Sequence, residues 1–195
     1  VDMGCLTNEE FETVLNDYKN ENGLSDKDFS NEDNKKTESV ISSFYAIEGK
    51  YKDYCSEYVN VLFKNLIRFV GDDFTPLQSA VTDDNDIAVI QELCGDFNAV
   101  SAITADSKAG MAFASRFAEE EITDSDYAKD AVSEFLNLSN GLYNVNISET
   151  TGKEIGLNPQ ETTTAAAVNS IKAKFTLTIP VEFTFGTVVF TLAVI

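Results

Sequence analysis

The sequence predicts an α+β domain: an antiparallel sheet with two long helices packed on one face, preceded by an N-terminal helical extension. Three observations lead there. The hydrophobic period is helical up to Val70 and changes to two after Gly71. The elements then follow the order helix, strands, helix, helix, strands, which suits helices segregated on one face of an antiparallel sheet. Finally, 43% of the 195 residues are hydrophobic, with 14 Phe and 7 Tyr, enough to fill the core of a chain that buries roughly 70% of its unfolded surface.

Residues 1–54 form an acidic extension and linker, with 13 Asp and Glu against six Lys. Thr7 and Glu10 make a capping box ahead of Phe11, Val14, Leu15 and Tyr18, whose spacing is that of one amphipathic helix stopped near Gly23. Between Asn20 and Glu38 only Leu24 and Phe29 could be buried, too few to offset the entropy of ordering the segment, so it reads as a tether behind a docking helix.

The main domain spans residues 55–195. A helical pattern over residues 37–70, broken near Gly49, ends in the apolar run YVNVLFKNLIRFV. FTPLQSAV and DIAVIQELCGDF read as strands separated by an acidic turn at 82–86, and FNAVSAITA as a third. A small-residue helix is expected over Ser107–Glu121, with Ala109, Met111, Ala112, Ala114, Phe117 and Ala118 on its apolar side. A second helix of about 20 residues follows from Thr123. The stretch TTGKEIGLNPQETTT reads as a loop. In the closing hairpin, Ile171, Ala173, Phe175, Leu177 and Ile179 alternate with polar residues before a turn near Gly186.

Composition excludes several functions. With no histidine there is no Ser-His-Asp or Cys-His unit and no histidine zinc site. A formal charge of -19 repels phosphate backbones and anionic lipids, arguing against nucleic-acid and membrane partners. The longest charge-free stretches, Phe135 to Ser148 and Phe183 to Ile195, are 14 and 13 residues, short of the roughly 20 a spanning helix needs. Cys5, Cys55 and Cys94, widely spaced and odd in number, suggest a reducing cytoplasm rather than a disulfide framework. No dinucleotide turn, P-loop or nucleophile elbow is present. The run Asp83, Asp84, Asn85, Asp86 lacks the glycine and glutamate of a calcium loop and reads as a solvated turn.

The helix after Thr123 is the exception. At 100° per residue, Ala128, Ala131, Val132, Phe135, Leu138, Ser139, Leu142 and Asn146 cluster as a buried face. Asp130, Glu134, Asn137 and Gly141 fall within about 60° of one another as a second stripe at its flank. A carboxylate and a carboxamide thus stand side by side on a rigid scaffold. Glycine inside a helix costs about 1 kcal/mol relative to alanine, so Gly141 points to a close approach from outside. A second acid-glutamate-asparagine copy, Asp53, Glu57 and Asn60, has Lys64 at the glycine position and reads as the wet face of a packing helix.

The segment DAVSEFLNLSNG, residues 130–141, resembles the signature helix of the CheC/CheX/FliY chemotaxis phosphatase family, and is most similar to the CheX type with one motif per chain. The Glu-Glu-Glu-Ile before it, the Gly-Lys-Glu-Ile after it and the closing hairpin extend the likeness over about residues 55–195. The resemblance implies a CheC/CheX-like fold, a homodimer paired through the sheet, and hydrolysis of the aspartyl phosphate on a CheY-like receiver. In that role Asn137 would orient the attacking water, Glu134 would pair with a receiver lysine, and Asp130 and Gly141 would lie in the contact. The chain would need no cofactor or metal of its own, with Mg2+ expected on the receiver. The alternative use of the fold is a non-catalytic receiver-binding or dimerising output module. The acids Glu119, Glu120, Glu121, Asp124 and Asp126, opposed only by Lys129, surround the stripe and would select which receiver can dock.

Overall fold

The computed structural model describes residues 44–45, 47, 49–79 and 86–195. The expected docking helix and tether, and most of the acidic turn with Asp83, Asp84 and Asn85, lie outside the described residues.

Gly49, with φ +76°, sits at the expected break and opens a single 3-10 turn, Gly49–Tyr51. Helix α1, Lys52–Asn65, follows and buries Cys55, Tyr58, Val59 and Leu62. Its last turn widens to a π turn at Leu66–Val70, closed by the Gly71 amide donating to the Leu66 carbonyl at 3.1 Å. Gly71 takes the left-handed conformation (φ +62°) that ends the helix.

Strand β1, Phe74–Pro76, is shorter than the expected run of eight residues. Strands β2, Ile87–Gly95, and β3, Ala99–Ala105, precede helices α2, Ser107–Ala118, and α3, Ser125–Thr151. After α3 come β4, Ile155–Thr162, the short helix α4, Ala165–Asn169, and the hairpin β5, Phe175–Phe183, with β6, Gly186–Val194. The six strands form one antiparallel sheet in the order β1-β5-β6-β3-β2-β4.

Strand register builds the core in rows, because partners opposite one another share a face. Val89, Ile103, Phe190 and Ile179 form one such row across β2, β3, β6 and β5. The next row is Gln91, Ser101, Leu192 and Leu177. These inward residues pack under α1, α2 and α3, with Phe113 and Phe135 among the largest fully buried side chains. Chain 163–174 connects β4 at one edge with β5 beyond β2, β3 and β6, and Val168 and Ile171 from it line a cavity with Thr104, Thr178 and Thr191 on the opposite face.

The structure corrects several expectations. The stretch expected as a loop over 150–164 holds the end of α3 and the edge strand β4. Its Pro159 is tolerated because it falls in a bulge, where Asn158 and Pro159 together face Glu92, between the pairs Gln91 with Gln160 and Leu93 with Leu157. Helix α2 stops at Ala118 because Glu119 turns left-handed, φ 56°. Its buried residues are Ala109, Gly110, Phe113 and Ala114, while Ala118 is exposed. A Cβ at Gly110 would come within 2.5 Å of Ile87 Cδ1, so the glycine lets α2 lie directly on β2.

Helix α3 has 27 residues, longer than expected, capped by Asp124, whose carboxylate accepts from the Asp126 and Tyr127 amides, and ended by left-handed Gly152. Ala128, Ala131, Val132, Phe135 and Ser139 are buried as the wheel requires. Farther along, the buried residues are Leu136, Asn140, Tyr143 and Ile147, not Leu138, Leu142 and Asn146. The face turns because this half is clamped by α1 on one side and the β2-β4 edge on the other. Tyr143 meets Tyr58 of α1 edge to face at 5.5 Å and donates to the Tyr54 carbonyl at 3.2 Å.

Candidate active site on helix α3

Asp130, Glu134 and Asn137 are exposed and Gly141 is half-buried, along one line of α3. The inward lock of Phe135, which has no exposed surface, turns its neighbours on the stripe outward. A Cβ added to Gly141 would meet no atom within 4 Å. Nothing among the described residues therefore requires glycine there, and the space it leaves opens outward. Leu142, 37% exposed, and Val145, 52% exposed, continue the same surface beyond Gly141.

The N-terminal end of the stripe is acidic. The Tyr127 hydroxyl donates to the Glu120 carboxylate. That bond and the charge of Glu120, with smaller contributions from Glu134 and Asp130, raise the phenol above its ordinary value. Lys129 turns away to Asp126 at 3.0 Å, leaving Glu134 and Asp130 without a basic partner among the described residues.

Asn137 is the member of the stripe tied to the sheet. Its Oδ1 accepts from Gln91 Nε2 at 2.8 Å. Gln91, 1% exposed, also donates to the Asn158 carbonyl at 2.9 Å and accepts from Asn140 Nδ2 at 2.8 Å. Spacing on the helix could not supply these partners. The available signal was Gln91 itself, an amide at an inward position of an alternating strand.

The second copy is used differently. Glu57 and Asn60 are half-buried. Glu57 accepts from Asn146 Nδ2 at 2.9 Å and from Asn60 Nδ2 at 3.3 Å, which fastens α1 to α3 and replaces the expected wet face. Among the described residues, no group of three or more carboxylate or thiol side chains is placed to hold a metal ion, and no helix is long and apolar enough to cross a membrane.

No family model and no curated protein matches the sequence. Solved structures do. A CheX chemotaxis protein from Desulfovibrio desulfuricans superposes with a TM-score of 0.58 at 18% identity, over 73% of this chain and 99% of its own. A CheX from Vibrio vulnificus gives 0.61 at 13% identity, over 76% and 100%. The CheX of a CheX-CheY-BeF3-Mg complex from Borrelia burgdorferi gives 0.60 at 17% identity, over 72% and 97%. The fold is that of the CheC/CheX/FliY proteins.

At these identities the likeness establishes the CheX fold, and the chemistry rests on the residues of α3. The superposition takes in nearly the whole of each CheX neighbour's own chain.

Proposed function

We propose that the chain is a cytoplasmic CheX-like phosphatase that hydrolyses the aspartyl phosphate of a CheY-type receiver in chemotaxis or two-component signalling. The observation that carries the reading is Asn137, an exposed carboxamide anchored from behind by Gln91, one helical turn from the unpaired carboxylate of Glu134 and beside the open space at Gly141. The Borrelia burgdorferi neighbour, a CheX in complex with CheY, supports a receiver as the partner.

An amide cannot serve as a base at neutral pH, but it can donate to and accept from the same water molecule. Phosphoryl transfer depends largely on positioning and charge stabilisation. Asn137 would hold a water in line with the phosphorus. As the water oxygen bonds to phosphorus, the bond to the aspartyl oxygen breaks, releasing inorganic phosphate and the free receiver carboxylate. Glu134 pairs with a receiver lysine and sets the angle of α3, Asp130 and Gly141 lie within the contact, and Mg2+ is held by the receiver. The domain pairs as a homodimer through its sheet.

The test is the lifetime of phosphoryl groups on purified receivers from the source genome, with and without the chain. A shortened lifetime on at least one receiver is expected. Binding without a shortened lifetime would replace the phosphatase with the non-catalytic receiver-binding module, and neither binding nor acceleration would remove both readings.

A further inference from the structure

We propose that Gln91, buried in β2, is a positioning residue that fixes which end of the Asn137 carboxamide faces the receiver. This inference rests on the phosphatase reading above.

An exposed asparagine can ordinarily turn its amide over, because its oxygen and nitrogen ends differ little in shape. Here the choice is set by a backbone atom. The bulge of Asn158 and Pro159 brings the Asn158 carbonyl within 2.9 Å of Gln91 Nε2, and a carbonyl only accepts. The nitrogen of Gln91 must therefore face that strand. Its second proton goes to Asn137 Oδ1 at 2.8 Å, and its Oε1 accepts from Asn140 Nδ2 at 2.8 Å. Turning Gln91 over would set Oε1 against the Asn158 carbonyl and its nitrogen against the nitrogen of Asn140.

The polarity is thus relayed from the bulge through Gln91 to Asn137, whose oxygen is held inward and whose Nδ2 protons point out. Asn140 is fully buried, and its Nδ2 donation to Gln91 Oε1 holds that end of the Gln91 amide as an acceptor. The result is an outward donor for the water or a phosphoryl oxygen, with one lone pair of Oδ1 left to accept a water proton.

Three measurements on the full chain test this: thermal unfolding, single-turnover receiver dephosphorylation over a range of chain concentrations, and nuclear magnetic resonance of the Asn137 side-chain amide. Gln91→Met removes the donor at similar volume. The maximal rate should fall about 10- to 100-fold, the scale of a misplaced catalytic group, while the half-saturating concentration stays within about twofold, as positioning acts on the chemical step rather than on docking. The Asn137 amide, held in one rotamer in wild type, should average between rotamers. Gln91→Asn, too short to reach both partners, should show the same split and takes the place of Gln91→Met if that variant fails to fold. Wild-type maximal rates with an ordered Asn137 in either folded variant would overturn the inference alone. No acceleration by wild type would remove the phosphatase reading and the inference together.

Discussion

Phe113 of α2 and Phe135 of α3 meet edge to face, their ring centroids 5.0 Å apart and their planes at 89°. Phe135 makes a second such contact with Phe117 at 5.5 Å. This cluster sets the rotation of α3 about its axis. Two residues on, about 200° around the helix, Asn137 is carried to the surface.

Phe135→Ala should therefore cost about 3 to 5 kcal/mol, the range for emptying a buried aromatic site. Asn137→Ala removes one acceptor of Gln91 and should cost about 1 kcal/mol, slightly more than an unbonded surface position. Urea unfolding of both variants checks the pair. Equal losses would mean that the two faces of α3 are wrongly assigned.

The stripe Asp130, Glu134, Asn137, Gly141 was legible from sequence because it needs only the helical repeat, and the structure places all four residues along one line of α3 as the wheel requires. The inward row of β5, with Leu177 and Ile179, was legible through alternation with polar residues. The later half of α3 was not: Leu142 looks like core and Asn140 like surface until α1 and the β2-β4 edge clamp the helix and reverse them. Strand β4 was hidden because Asn158-Pro159 is loop chemistry by composition, and only pairing with β2 shows that it is a bulge. The link from Gln91 to Asn137 joins residues 46 apart, and no local pattern encodes such a contact.

The two helical glycines separate packing from docking. Gly141 has open space where a side chain would go, whereas a Cβ at Gly110 would strike Ile87 at 2.5 Å. Gly141→Ala should stabilise the fold by about 0.5 to 1 kcal/mol through helix propensity while weakening receiver binding. Gly110→Ala should destabilise it by about 1 to 3 kcal/mol through overpacking. Melting temperatures and receiver titrations of the two variants check this, and unchanged receiver affinity in Gly141→Ala would remove that glycine from the contact.

Stability should fall in alkali. Burial pushes the Cys55 thiol from 9.0 up to about 12 and the Tyr58 phenol from 10.0 up to about 12, and raises Tyr143 well above its ordinary value. Because the unfolded chain gives up these protons at lower pH than the folded one, their contribution is intact below about pH 9 and is lost as pH rises towards about 12. Urea midpoints measured from neutral to strongly alkaline pH should be flat and then decline, with tyrosinate absorbance from Tyr58 and Tyr143 appearing only on unfolding. Ionisation of all seven tyrosines in the folded state would contradict the burial of Tyr58 and Tyr143.

The central claim is that Asn137 acts on the phosphoryl group while the rest of the stripe docks the receiver. Its most direct test is single-turnover decay of a phosphorylated receiver at saturating chain, comparing wild type with Asn137→Ala. The account predicts rapid decay with wild type, and decay at the receiver's intrinsic rate with Asn137→Ala although the receiver is still bound. Equal acceleration by both would contradict it.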